Sequence, residues 1–152
     1  MKFKLGNKKF LMKDNTKKIQ KNLDKIIERS IKKHGEFHIS DLSKLFSDNI
    51  IKDIEFNNIH FNKSDWGDTE FHNCTFRNVH FENILDDCDI NFEHSKFHSC
   101  KFINTKIIAN LNYSNFMNCE FIDSSLILEV ITFIEFNNNS MINSRLRVKA
   151  YN

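Results

Sequence analysis

"TEFHNCTFRNVHFEN", residues 69–83, sets Phe71, Phe76 and Phe81 five residues apart, with Cys74 and Val79 two residues ahead of the second and third. A spacing of five fits neither the two-residue alternation of a strand nor the 3.6-residue turn of a helix. Followed outward, the same spacing runs from Ile54 to Leu146. Its centres are Phe56, Phe61, Trp66, Phe71, Phe76, Phe81, Asp86, Phe92, Phe97, Phe102, Ile107, Leu111, Phe116, Phe121, Leu126, Ile131, Phe136, Met141 and Leu146, with two slips of register. The residue two before each centre is mostly small or branched, as at Ser64, Thr69, Cys74, Ser95, Cys100, Thr105, Ser114, Cys119 and Ser124, and Glu129 breaks the rule.

With 40% hydrophobic and 28% charged residues in 152, the chain reads as one soluble globular body with a small appendage. No apolar run approaches the roughly 18 residues of a membrane span, and "MKFKLGNKKFLMK" lacks the apolar stretch of about 7 to 15 residues that a signal peptide needs. A cytoplasmic protein without a membrane partner is expected. The net charge of +2 conceals a division: residues 1–34 carry 12 Lys/Arg against 3 Asp/Glu, and residues 35–152 carry 10 against 17. A basic arm is therefore joined to an acidic body, which bears on partners rather than on fold.

Within the arm, "DNTKKIQKNLDKIIERSIKKHG" places Ile19, Leu23, Ile26, Ile27 and Ile31 at helical spacing, with Asp14 or Asn15 to cap the start and Gly35 to close the end. A short second helix or turn over "HISDLSKLFSDNII" follows, with Ser40 as candidate cap and Leu42, Leu45 and Phe46 as its apolar face. The expected division is a basic N-terminal helical segment and cap over residues 1–50, then a repeat body over residues 51–152.

The five-residue unit resembles that of the pentapeptide-repeat family: a small residue, a polar residue, a central Leu or Phe, then two variable residues. The resemblance covers about 54–146. It implies a mainly β fold, a right-handed quadrilateral β-helix with four units per coil, here with an N-terminal α-helical segment. Every fourth centre then stacks on one side, about 4.8 Å above its predecessor as in any β ladder. Counting the units predicts one ladder of Phe56, Phe76, Phe97, Phe116 and Phe136, and a second of Phe61, Phe81, Phe102, Phe121 and Met141. The third is Trp66, Asp86, Ile107, Leu126 and Leu146, and the fourth is Phe71, Phe92, Leu111 and Ile131. With so little glycine, the corners fall to Asn58, Asn73, Asn78, Asn83, Asn104, Asn118 and Asp123, residues that tolerate left-handed backbone.

The candidate sites are weighed on this frame. Cys74, Cys100 and Cys119 occupy the small inward slot and read as packing groups, with Cys100 and Cys119 on adjacent rungs; Cys88 is the more exposed thiol. His60 and His80 align on successive coils, but their ladder continues with Lys101 and Glu120, so a solvated ladder is favoured over a metal site. His72, His94 and His98 face outward without a nucleophile, base and orienter arrangement. No catalytic constellation, Gly-rich phosphate loop or cofactor motif is found, and an enzyme is not expected.

"ILDDCDINF", residues 84–92, breaks the period, because an aspartate at centre 86 cannot face an interior of phenylalanines. Asp65, Asp68, Glu70, Asp86, Asp87, Asp89 and Glu93 fold onto two adjacent sides of the first coils, with Lys63, Lys96 and Lys101 on the other two. A solvated acidic surface is one reading. The resemblance implies another, since quinolone-resistance and gyrase-interacting members of the family present acidic, DNA-like surfaces to a topoisomerase. On that reading the body binds a DNA-binding protein and not nucleic acid itself. The basic helix caps the solenoid, touches nucleic acid or a membrane, or docks a partner, as in a scaffold, immunity or effector protein. "LILEVITFIEF", residues 126–136, is too apolar for a solvated last coil. By resemblance to members that pair through their C-terminal coils, Leu126, Leu128, Ile131, Phe133 and Phe136 are expected to form a homodimer contact or a packed cap.

Overall fold

The computed structural model describes residues 8–46, 49–82, 90–128 and 133–148, with side chains from residue 16 onward. Asn83, Asp86, Asp87, Cys88, Asp89 and Ile131 lie outside the described residues.

Helix α1 spans Lys8–His34, beginning six residues before the expected start. Gly35, at φ 80°, closes it by donating its N–H to the Ile31 carbonyl at 2.8 Å. Strand β1 (Phe37–His38) and helix α2 (Ile39–Ser43) follow. Residue 38 is the N-cap of α2 and makes no side-chain cap bond, so Ser40 is not the cap.

The remaining strands are short and parallel, and they sort into four sheets, one per side of a β-solenoid. The Phe71 side consists of β2 (Ile50–Lys52), β6 (Glu70–His72), β10 (Lys96–His98), β13 (Asn115–Met117) and β16 (Glu135–Asn137). The Phe76 side consists of β3 (Glu55–Asn57), β7 (Thr75–Arg77), β11 (Lys101–Ile103), β14 (Glu120–Ile122) and β17 (Ser140–Ile142). On the Phe81 side are β4 (His60–Phe61), β8 (His80–Phe81), β12 (Lys106–Ala109), β15 (Ser125–Leu128) and β18 (Arg145–Val148). The Trp66 side holds β1, β5 (Ser64–Asp65) and β9 (Ile90–Asn91).

The five-residue unit has a direct geometrical meaning. Within each unit the centre and the residue two before it point inward, and the two residues flanking the centre point outward. The fifth residue turns the corner at positive φ, as at Asn58, Asn73, Asn78, Asn104, Asn118 and Asp123, with φ between 48° and 55°. The corner N–H groups bond to the next coil, for example Asn58 to the Arg77 carbonyl at 3.0 Å. Hydroxyls in the small slot bond to the preceding coil: Thr105 donates to the Phe76 carbonyl at 2.9 Å and Ser124 to the Phe102 carbonyl at 3.0 Å. Among the described residues every buried hydroxyl in these slots has a hydrogen-bond partner, so a thiol, hydroxyl or methyl can stand there without facing phenylalanine unsatisfied.

The ladders differ from those counted along the sequence. Phe56, Phe76, Phe102, Phe121 and Met141 stand in register on one side, and Ile51, Phe71, Phe97, Phe116 and Phe136 on another. The third side runs Phe61, Phe81, Ile107, Leu126 and Leu146. On the fourth, Trp66 stacks on Phe92 at 5.6 Å. The assignment that put Phe76 against Phe97, and Trp66 in line with Asp86, is therefore corrected. The reason is length: Ile51 to Phe71 is 20 residues, Phe71 to Phe97 is 26, and Phe97 to Phe116 is 19. The second coil holds six more residues than the first, all between Phe81 and Phe92, so counting Asp86 as a centre adds a side that does not exist and shifts every later unit by one.

Within each ladder the rings lie nearly parallel: Phe56 on Phe76 at 5.0 Å and 3°, Phe76 on Phe102 at 5.0 Å and 4°, Phe97 on Phe116 at 4.6 Å and 7°. Phe56, Phe61, Phe76, Phe81, Phe97, Phe102, Phe116 and Phe121 are all buried. Each contributes roughly 1.5 to 3 kcal/mol of hydrophobic stabilisation, so a stack of them replaces a conventional core.

Ile19, Leu23 and Ile27 of α1 belong to the same core, beside Phe37, whose ring meets Trp66 at 4.8 Å. Gln20 behaves as one more strand residue: its Nε2 donates to the Glu55 carbonyl at 2.8 Å, and its Oε1 accepts the Glu55 N–H at 2.7 Å. The helix thereby satisfies polar groups on the free edge of β3.

Candidate functional site

The flank carrying the acidic residues turns the corner from the Trp66 side to the Phe71 side. Asp65 is exposed on β5; its Oδ1 accepts the Gly67 N–H at 3.1 Å and the Asn91 amide at 2.9 Å. A Cβ at Gly67 would stand 3.1 Å from the Asn91 amide nitrogen, so any larger residue there would have to displace that side chain by a few tenths of an ångström. Asp68, exposed at φ 54°, donates its N–H to the Glu93 carbonyl at 3.0 Å. Asp65, Asp68 and Glu93 thus meet across two coils, and among the described residues none of them has an ion-pair partner.

Glu70 stands apart from them electrostatically. Lys96 is in register with Glu70 on the Phe71 side, not on an opposite side, and its Nζ bonds Glu70 Oε1 at 2.7 Å. That bond, with a weaker one from His72, holds the Glu70 carboxyl below its ordinary range. Similar pairs neutralise other carboxylates: Arg77 with Glu55 at 3.1 Å, Lys101 with Glu120 at 3.0 Å, Lys63 with Glu36 at 3.5 Å, and Lys106 with Glu82. Burial pushes the Glu82 carboxyl up, but Lys106 and His80 outweigh it and the net shift is downward. Several carboxylates on these flanks are thus paired with a cation on the neighbouring coil, whereas Asp65, Asp68 and Glu93, like Asp53, Asp123 and Glu135, have no ion-pair partner among the described residues.

His72 and His98 occupy in-register positions on β6 and β10, their rings stacked at 4.6 Å and 19°. Burial and the neighbouring His72 hold the His98 imidazole below its usual value. Counting along the sequence separates these two histidines, because the extra residues shift the frame between them. The signal was nonetheless present: "TEFHNC" at 69–74, "SKFHSC" at 95–100 and "SNFMNC" at 114–119 are three rungs of one side. His60 and His80 are also in register, but their rings meet edge-on at 5.9 Å.

The three motifs also align the thiols. Cys74, Cys100 and Cys119 are free and buried, and each Sγ lies near a carbonyl of the preceding coil. The Cys119 and Cys74 thiols, together with burial, push the Cys100 thiol up, which disfavours its reactive thiolate form.

At the other end, among the described residues, no strand follows β16, β17 and β18 in their sheets. Leu126 and Leu128 are buried, whereas Phe136 is half-buried, and Phe133, Met141 and Leu146 are 78%, 41% and 43% exposed. Two outward ladders that the sequence reading did not single out, Ile103–Ile122–Ile142 and Ile108–Ile127, run beside it, the second forming a shallow groove with Arg147 and Val148. Isoleucines at outward positions carry no periodic signal, since the repeat leaves those positions variable. Among the described residues no helix is long and apolar enough to cross a membrane.

No family model matches the chain, and no curated protein matches it. The stacked parallel coils are compatible with a pentapeptide-repeat fold, and a β-solenoid fits a protein-interaction module.

Proposed function

We propose that this chain is a non-enzymatic, cytoplasmic interaction module of the pentapeptide-repeat kind, and that its acidic corner presents a DNA-like surface to a DNA-binding protein such as a type II topoisomerase. The observation that carries this reading is the meeting of Asp65, Asp68 and Glu93 on adjacent coils with no ion-pair partner among the described residues, whereas Glu70, Glu82 and Glu120 are each paired with a lysine. Asp86, Asp87 and Asp89, which precede Glu93 in the sequence and lie outside the described residues, carry three further negative charges. Glu70 contributes less than the others, because Lys96 already holds it. The reading is tested by capture of partners on immobilised protein and by a gyrase supercoiling assay. Replacing Asp65, Asp68 and Glu93 by Asn, Asn and Gln, with Asp86, Asp87 and Asp89 also neutralised, is expected to weaken binding at least tenfold, about 1.4 kcal/mol. Undiminished partner binding would remove the acidic corner from the interface.

A second reading rests on α1. Ile19, Leu23 and Ile27 of its expected apolar stripe are buried, whereas Ile31 at the end of the stripe is exposed, and Lys17, Lys18, Lys21, Lys25 and Lys32 stay exposed on the other face. As a scaffold, immunity or effector protein, the chain would use that face on its partner, and charge reversal at Lys17, Lys18 and Lys21 would then abolish capture while the acidic-corner variant retained it.

The C-terminal coil is proposed to pair with a second copy. A two-fold pairing would cover Phe133, Phe136, Met141 and Leu146 and satisfy the edges of β16, β17 and β18 that are unpaired among the described residues in both copies. Sedimentation should show a dimer that Met141→Lys with Leu146→Lys converts to a monomer; a wild-type monomer at all concentrations refutes the pairing.

A further inference from the structure

We propose that Glu70, His72 and His98 form a binding site for a divalent transition-metal ion such as Zn2+, on the flank of the Phe71 side. The ligand atoms of these three side chains all lie within 4.8 Å of one another. Two imidazoles and one carboxylate are a donor set suited to Zn2+, with the fourth tetrahedral position left to water. A bound ion needs nitrogen at about 2.0 to 2.1 Å and carboxylate oxygen at about 2.0 to 2.2 Å, so the donors must draw in by side-chain rotation. The backbone already supplies the placement, because parallel in-register pairing holds His72 beside His98 and puts Glu70 two residues before His72 on the same outward face. All three side chains are half-buried, which shields the site on one side and leaves it open to entry on the other.

The neighbours set its strength. Lys96 bonds Glu70 at 2.7 Å and must release it when the ion enters. Lys52 stands in register on the far side of His72 and adds a second repelling charge, while Met117, in register with His98, is uncharged. The site is therefore restrained by its own lysines, and removing Lys96 should tighten it. The His60–His80 pair is the internal contrast: its rings meet edge-on at 5.9 Å, and Glu82 beside it is held by Lys106 and His80. A bound ion also joins β6 to β10 across the 26-residue coil, and a ligand that binds only the folded chain raises its melting temperature.

The experiment uses the full chain, stripped with EDTA, in a Cys88→Ser background, so that the cysteine outside the described residues cannot bind the ion. Zinc titration followed by calorimetry, with thermal melts with and without zinc, should show one saturable site and a zinc-dependent rise in Tm. His72→Ala and His98→Ala should each weaken binding about tenfold or more and abolish the rise. Lys96→Met should tighten binding, and His60→Ala with His80→Ala should leave it unchanged. If His98→Ala does not fold in EDTA, His98→Gln takes its place. Absence of saturable binding, binding that survives loss of His72 and His98, or binding lost with His60 and His80 overturns the proposal.

Discussion

At the scale of single residues, the inward and corner positions carry most of the stability, and they fail in different ways. Phe76 lies between Phe56 and Phe102, stacked on each at 5.0 Å. Phe76→Ala should therefore cost roughly 3 to 5 kcal/mol in urea denaturation, whereas Phe136→Ala, half-buried in the last coil, should cost distinctly less. Corner residues act through the backbone. Asn78 sits at φ 51°, donates its side-chain amide to Asn58 Oδ1 at 2.9 Å, and accepts one from Asn104 at 2.9 Å. Asn78→Ala should cost about 1 to 2 kcal/mol from left-handed strain, with the amide ladder lost as well. Asparagine at these corners was legible from the sequence because it recurs at five-residue spacings, as at Asn73 and Asn78. Tyr113 and Phe133, also at positive φ, were not, since a bulky residue is a poor sign of a left-handed corner.

At the scale of elements, the junction of α1 with the first coil is held by a charge cluster around Asp41 of α2. Partial burial pushes the Asp41 carboxyl up, but hydrogen bonds from Lys44 and Ser30 and the charge of Lys33 bring it down to about 2, from an ordinary 3.8. A lowered carboxyl pKa stabilises the fold fully above about pH 4, and that stabilisation is lost as the pH falls through the folded value near 2. After allowance for solvent screening the contribution is about 1 kcal/mol. The stability difference between wild type and Asp41→Asn should thus be largest near neutral pH, shrink between about pH 4 and pH 2 and vanish below that, read from urea melts across that range. A difference that stays constant with pH would refute the ionic account. Gln20→Ala, which strips the edge of β3, should cost about 1 to 2 kcal/mol by the same measurement. The amphipathic spacing of α1 was readable along the chain, but its bond to Glu55, 35 residues away, was not.

At the scale of the whole molecule, each coil touches only its neighbours, so protection should grade along the axis. Amide exchange should be slowest in the middle strands β6, β7, β10, β11, β13 and β14, and fastest in β16, β17 and β18, which among the described residues pair on one side only. Zinc should slow exchange in β6 and β10 first if Glu70, His72 and His98 hold it. The two ends of the solenoid are chemically unlike: α1 buries Ile19, Leu23 and Ile27 at one, and Met141 and Leu146 stay exposed at the other.

The five-residue spacing by itself determined the solenoid, because each unit specifies one side locally: two inward residues, two outward, one corner. Which units stack on one another was decided only by the tertiary structure. Stacking depends on the number of residues spent between sides, and the six additional residues between Phe81 and Phe92 keep the spacing of every later unit intact while moving its partner. The inward Phe, Cys and Thr positions were therefore legible one by one. The meeting of Glu70 with Lys96 and of His72 with His98 was not, since in-register contact between coils is a property of the pairing and not of any single unit.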